Sequence, residues 1–144
     1  MSGSSDDSVR VWDVSTGVAL KELKGHASLV NSVAFSNNGT QMVSGSSDQS
    51  VHVWDVLTGV ELKELKGHTR SVNLVAFSNN GTRIVSGSYD DSARVWAAST
   101  GLELRELKGH TRSVNSLRFR AMGRRLCLAH MTTLCGCGMC QQVF

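Results

Sequence analysis

The 144-residue sequence contains no proline, no cysteine before residue 127 and no apolar run that approaches the length of a membrane-spanning helix. A spanning helix needs about 20 mostly apolar residues. That absence, together with a polar N-terminal segment, argues against a membrane anchor and a signal peptide. Nothing in the sequence indicates secretion. We therefore expect a cytoplasmic protein without structural disulfides.

Charge is divided unevenly along the chain. Residues 1–107 carry nine basic and twelve acidic side chains, whereas residues 108–144 carry six basic and no acidic ones. A nucleic-acid-binding surface needs a basic face with interleaved aromatic residues. The acidic first part lacks such a face, so we predict no nucleic-acid partner.

A 42-residue repeat organises most of the chain. Its tryptophans and its Gly-His pairs both recur at this interval. They are Trp12, Trp54, Trp96, Gly25-His26, Gly67-His68 and Gly109-His110. Self-similarity at a fixed period of about 40–45 residues is typical of arrays whose units each contribute four short strands.

The composition of each unit also indicates strands joined by turns. Val72, Val75 and Phe77 are apolar positions bounded by polar ones, and residues 51–54 show β-branched alternation. The segment Asn-Asn-Gly-Thr occurs at 37–40 and again at 79–82, and Asn-Gly between two such runs is a hairpin-turn signal. Helical spacing is poor throughout, so the sequence predicts an all-β fold.

Over residues 1–119 the repeat resembles WD40 repeats. The resemblance implies a partial β-propeller of about three blades, each a four-stranded antiparallel sheet. In the family's strand order, residues 1–24 give the third and fourth strands of one blade, residues 27–66 and 69–108 give complete blades, and residues 113–119 give the first strand of a fourth.

The number of repeats bears on how the array closes. A closed propeller has about four to eight blades, and this sequence holds about 3.4 repeats. We therefore expect exposed strand edges at the open ends. Self-association that pairs the complementary half-blades of two copies is the expected way of completing a ring.

Residues 120–144 break the repeat and are expected to form an irregular tail. When permitted codons are regrouped, joining the third base of each to the first two of the next, residues 126–143 read Ile-Val-Ser-Gly-Ser-Tyr-Asp-Asp-Ser-Val-Arg-Val-Trp-Asp-Val-Ser-Thr-Gly. Apart from one Ala-to-Val change, this is residues 84–96 followed by residues 13–17. We infer that the tail is a fourth repeat read out of frame, with the slip close to Arg120.

All four cysteines lie in this tail. With one histidine they offer enough soft ligands for a tetrahedral zinc site. The residues are Cys127, His130, Cys135, Cys137 and Cys140. Because a change of frame accounts for the cluster, we predict no metal or other cofactor and keep a metal-binding protein as an alternative.

The WD40 resemblance also implies a polar network inside each blade, formed by a His, a Ser, an Asp and a Trp. The matching residues are His26, Ser44, Asp48 and Trp54 in one blade and His68, Ser86, Asp90 and Trp96 in the next. Buried imidazole and indole groups need hydrogen-bond partners. A His-Ser-Asp set also resembles a hydrolase triad, but its recurrence with a Trp and without a nucleophile elbow favours a structural role. We predict no enzyme.

Positions that differ between otherwise near-identical repeats are the best sequence signal of partner binding. In WD40 proteins, residues after the Gly-His pair and around the second turn tend to face one end of the propeller. The varying residues there are Arg70, Leu74, Tyr89, Arg94 and Arg112, the predicted partner contacts.

Three functions follow from these patterns. The first is a non-catalytic scaffold that binds a protein or peptide partner through one propeller face. The second is a frameshifted fragment of a longer WD40 protein with no independent function, and the third is the metal-binding protein. The near-identity of residues 62–70 and 104–112 is also similar to the high-identity WD40 arrays of fungal NACHT-type receptors.

Overall fold

The computed structural model describes residues 1–119, 126–130 and 141–143, and all the regular structure in these ranges is β-strand. The strands form four antiparallel sheets that follow one another in chain order. Two of these sheets have the four strands of a complete blade and two have three. The all-β fold and a partial propeller of about three blades are therefore confirmed.

Each sheet is a simple up-and-down meander. The first contains β1 (Ser2–Gly3), β2 (Val9–Trp12) and β3 (Ala19–Leu23). The second contains β4 (Val30–Phe35), β5 (Gln41–Ser46), β6 (Val51–Asp55) and β7 (Glu61–Leu65). The third contains β8 (Val72–Phe77), β9 (Arg83–Ser88), β10 (Ala93–Ala97) and β11 (Glu103–Leu107). The fourth contains β12 (Val114–Phe119), β13 (Leu126–His130) and β14 (Gln141–Val143).

The hydrophobic core lies between consecutive sheets. Val9 and Leu23 of the first sheet pack with Val30, Met42 and Trp54 of the second. A second cluster joins the second and third sheets, and a third cluster places Val114 of β12 against the third sheet. Each sheet therefore buries apolar side chains against its neighbours, as stacked repeats do.

A bulge in the first strand of each complete sheet links that sheet to the next. The pairing of β4 with β5 skips Asn31, and the pairing of β8 with β9 skips Asn73. A bulge frees the extra residue from the ladder and redirects its side chain. The Asn31 amide donates to the Val72 carbonyl at 3.0 Å, and the Asn73 amide donates to the Val114 carbonyl at 3.2 Å. These two bonds join the first strands of neighbouring sheets.

The two chain ends differ from the expectation in detail. The first sheet has a third short strand, β1, which precedes the two strands that the sequence predicts. In the tail, which was expected to be irregular, β13 pairs with β12, and Leu126 lies opposite Phe119. Ile84 lies opposite Phe77 in the same way one repeat earlier. Main-chain hydrogen bonding depends little on side-chain identity, so an altered sequence can still extend a sheet edge.

The tail departs from the repeat after β13. Leu126 lies opposite Val143 of β14, whereas its counterpart Ile84 lies opposite Trp96. The reading of this segment as an out-of-frame repeat stays a prediction. In the described part of the chain, no helix is long and apolar enough to span a membrane.

Candidate functional site

The loops that follow the Gly-His pairs and the turns between the second and third strands meet at one end of the sheets. We call this the Gly-His end and define it by residues 25–29, 46–50, 67–71 and 88–92. In the third sheet, Ser88 Oγ donates to the Arg70 carbonyl and the Tyr89 amide donates to the Ser71 carbonyl, both at 3.0 Å. The second sheet has the same two bonds, from Ser46 to Ser28 and from Ser47 to Leu29.

Below this end, a line of hydrogen bonds crosses each complete sheet. Trp54 Nε1 donates to Ser44 Oγ at 2.8 Å, and Ser44 Oγ lies 2.7 Å from His26 Nε2. His26 Nδ1 lies 2.8 Å from a carboxylate oxygen of Asp48. Because a carboxylate only accepts, Nδ1 carries the imidazole proton and Ser44 donates to Nε2. The line therefore runs in one direction, from the tryptophan to the aspartate.

The third sheet repeats this arrangement. Trp96 Nε1 donates to Ser86 Oγ at 2.9 Å, Ser86 Oγ lies 2.8 Å from His68 Nε2, and His68 Nδ1 lies 2.7 Å from Asp90. The structure thus brings together all four residues of each predicted set. Ser44 and Ser86 are 0% exposed, so neither hydroxyl can reach a substrate.

The aspartate of each network also holds the loops of the Gly-His end. Asp90 accepts from the Thr69 amide at 3.1 Å, from the Ser92 amide at 3.0 Å and from Ser92 Oγ at 2.6 Å. Burial alone would raise the pKa of Asp90, but the hydrogen bonds from Ser92, His68 and Thr69 outweigh it and lower that pKa to about 2. The carboxylate therefore stays charged and anchors both loops near neutral pH.

Burial lowers the pKa of His26 and of His68, and their aspartate partners only partly offset this. Both imidazoles are therefore neutral near pH 7, which the direction of the hydrogen bonds requires.

Sequence reasoning missed two kinds of network residue. Ser50 and Ser92 bind the aspartates, and Ser8 binds Asp6 in the same way, with a 2.6 Å bond. In the first sheet, Trp12 Nε1 donates to Ser2 Oγ at 3.0 Å. The 42-residue interval carries both signals, since these serines recur at that spacing.

The predicted partner contacts fall into two groups. Arg70 and Tyr89 are exposed and are brought together at the Gly-His end, and Arg112 is exposed after the third Gly-His pair. Leu74 is half-buried on β8. Arg94 differs, because its side chain is only 13% exposed and pairs with Glu103 and Glu106 of β11. It therefore serves its own sheet, and we remove it from the contact surface.

The position that Arg94 occupies in the third sheet holds an arginine in the first sheet and a different residue in the second. Arg10 binds Asp6 at 2.9 Å and Glu22 at 3.2 Å in the first sheet. In the second sheet the equivalent residue is His52, whose ring centroid lies 4.0 Å from that of His26. His52 is buried beside Glu61 and has no hydrogen-bond partner for either ring nitrogen.

The tail residues with metal-ligand chemistry are only partly placed. Cys127 and His130 belong to β13, whereas Cys135, Cys137 and Cys140 lie outside the described residues.

Comparison with known sequences agrees with this architecture. The WD40 family model, described as "WD domain, G-beta repeat", matches residues 17–55, 59–97 and 101–136. These ranges cover most of the sequence, and the chain belongs to the WD40 family.

Similar proteins share single repeats with this chain. One is the Autophagy-related protein 16 of Arabidopsis thaliana, 44% identical over 43 residues, which are 30% of this chain and 8% of that protein. Another is the Nuclear distribution protein PAC1 of Mycosarcoma maydis, 45% identical over 42 residues, or 29% of this chain and 9% of that protein. The matched segments thus span less than a tenth of either relative. The likeness to fungal NACHT-type receptors stays a prediction.

Proposed function

We propose that this chain is a cytoplasmic, non-catalytic WD40 scaffold module that binds a protein or peptide partner through its Gly-His end. Its main support is that Tyr89, which is 47% exposed, and Arg70, which is also exposed, both lie on main-chain segments joined at that end. WD40 repeats in general serve protein–protein interaction and are not catalytic.

The chemistry of this pair suits a protein interface. Tyrosine and arginine are enriched among the residues that dominate binding energy, and Tyr offers a rigid apolar ring with a polar tip. The main chain under both residues is held by Ser88, Ser71 and Asp90. A surface fixed before binding loses less conformational entropy when a partner docks.

The second sheet supplies matched control residues. Ser28 and Ser47 occupy the positions of Arg70 and Tyr89, and the main-chain hydrogen bonds around them are the same. The frame therefore accepts serine at both positions. Arg70 and Tyr89 are not needed to form the loops, which frees them to contact a partner.

The test compares three immobilised proteins: the full chain, its Arg70→Ser/Tyr89→Ser double variant, and a Leu57→Ser control. Leu57 lies in a turn outside the Gly-His end and is 84% exposed. An extract of cells that naturally express the chain is passed over each protein, and the bound proteins are quantified by mass spectrometry. We expect a partner that the chain and the Leu57→Ser control retain and that the double variant loses by about tenfold or more. Equal retention by all three would refute the proposal.

The regrouped codons support a second candidate, a frameshifted fragment of a longer WD40 protein without independent function. Sequencing the transcript across codons 115–144 tests it. An additional or missing base would restore the fourth repeat and favour the fragment. If the base sequence stands, the tail is translated as written, and the question becomes whether self-association rescues the broken fourth blade. Self-association likewise stays a prediction, which sedimentation of the purified chain would test.

A further inference from the structure

The second sheet has a histidine at a position where the first and third sheets have an arginine. Arg10 and Arg94 each place a guanidinium against acidic side chains of the neighbouring outer strand. His52 holds this position in the second sheet, and Glu61 and Glu64 are the counterparts of Glu103 and Glu106. Glu64 lies 3.0 Å from Lys66 and 3.7 Å from His52 Nε2, and Glu61 lies 3.1 Å from His52 Nδ1. The second sheet therefore has an imidazole beside these two glutamates where its neighbours have a guanidinium.

His52 itself is buried and makes no hydrogen bond, although its Nδ1 lies 3.1 Å from a carboxylate oxygen of Glu61 and its Nε2 lies 3.7 Å from one of Glu64. Its side chain is 4% exposed, and neither Nδ1 nor Nε2 makes a hydrogen bond. A buried polar group without a hydrogen bond destabilises the fold, and here this cost falls on both nitrogens of one ring. An apolar or arginine side chain would avoid this cost, so the site is costly unless something binds the ring.

Metal-ligating atoms surround this histidine. One ligand atom each from His26, Asp48 and His52 lie within 4.8 Å of one another. Glu61 adds a carboxylate oxygen 3.1 Å from His52 Nδ1. In a tetrahedral zinc site with bonds of roughly 2.0 Å, neighbouring ligand atoms are about 3.3 Å apart. The three-residue group lies within 4.8 Å and Glu61 lies 3.1 Å from His52, so metal binding requires these side chains to move closer together.

We propose that His26, Asp48, His52 and Glu61 form a binding site for a divalent transition metal, with Zn²⁺ as the best-fitting ion. Two imidazoles and two carboxylates are a ligand set that zinc accepts. Neutral His26 carries one ring proton, so metal binding through Nδ1 moves that proton to Nε2, which then donates to Ser44 Oγ. Glu61 is 35% exposed, so the ion can enter from its side of the cluster.

The third sheet is a built-in control for this site. His68, Asp90 and Glu103 match three of the four ligands, but Arg94 fills the position of His52. The guanidinium supplies the positive charge there and excludes a metal ion. Arg94→His should therefore create a second site, and His52→Arg should abolish the first while introducing a residue that the frame already accepts.

The experiment uses the full chain with its four tail cysteines replaced by serine, so that thiols do not contribute. Zinc binding is measured by equilibrium dialysis with elemental analysis for this parent, for His52→Arg, for His52→Gln and for Arg94→His. Thermal melting with and without zinc gives an independent readout, because an ion that binds only the folded chain raises Tm. Circular dichroism verifies that each variant is folded.

We expect one zinc ion per parent chain, a loss of affinity of at least about tenfold in both His52 variants, and a second equivalent in Arg94→His. Zinc should raise the Tm of the parent and not that of His52→Arg. Failure of the parent to bind zinc, or binding by folded His52 variants with unchanged affinity, would overturn the proposal. So would an Arg94→His chain that binds no additional ion.

Discussion

Replacing Ser86 by alanine should remove the junction of the polar network in the third sheet. Ser86 Oγ is 0% exposed, accepts from Trp96 Nε1 at 2.9 Å and bonds His68 Nε2 at 2.8 Å. The variant leaves an indole N–H and an imidazole nitrogen buried without partners. Each such group costs about 1–3 kcal/mol, so we expect a loss of about 3 kcal/mol in the free energy of unfolding.

The loss can be measured by urea unfolding followed by tryptophan fluorescence, and a chain of this size should melt roughly 10 °C lower. Thr100→Ala, at an exposed position, is the control and should change stability by less than about 0.5 kcal/mol. A double-mutant cycle with Trp96→Phe isolates the indole bond, because alanine at 86 should cost less once that donor is absent. A Ser86→Ala chain as stable as the control would refute the network as a stabilising element.

Three further predictions follow from the same geometry. Gly45→Ala should destabilise the chain by about 1–3 kcal/mol, since the new methyl group would lie 2.7 Å from Val72 Cγ1 and 2.9 Å from Val75 Cγ1 of the next sheet; unchanged urea unfolding would contradict this. Stability should fall as the pH is lowered through about 6.5. Burial lowers the pKa of His26 and His68 in the folded chain, so the unfolded chain binds more protons than the folded chain in this range. A flat profile of unfolding midpoints between pH 7 and pH 5 would contradict this. A further loss should follow between about pH 4 and pH 2, where Asp90, with its pKa lowered to about 2, gives up the charge that its hydrogen bonds stabilise; Asp90→Asn should flatten that part of the profile.

The repeat frame could be predicted from sequence because its physical requirements recur at a fixed interval. A buried indole and imidazole need a hydroxyl and a carboxylate at set positions, and each recurrence strengthens the same prediction. The structure places all four residues of both sets within hydrogen-bond distance of their neighbours. The serines that follow the aspartates recur at the same interval, which could have identified them, but Ser is common in turns and they were not singled out.

Side-chain orientation on a strand was harder to predict. Arg94 varied between copies and was therefore proposed as a partner contact, but β10 pairs Arg94 with Glu106 of β11 and the guanidinium binds both Glu103 and Glu106. Such a cross-strand ion pair depends on the register, which composition alone does not fix. The strands in the tail were missed for a related reason, since pairing with β12 uses main-chain groups that any sequence offers.

The measurement that most directly tests partner binding at the Gly-His end is site-specific photocrosslinking. A photoreactive amino acid replaces Tyr89 in one variant and Leu57 in another. Each variant is irradiated in an extract of cells that naturally express the chain. We expect a crosslinked partner from position 89 that position 57 does not give, and we expect Arg70→Ser to weaken this crosslink. A partner crosslinked from position 57 alone, or equally from both positions, would contradict it.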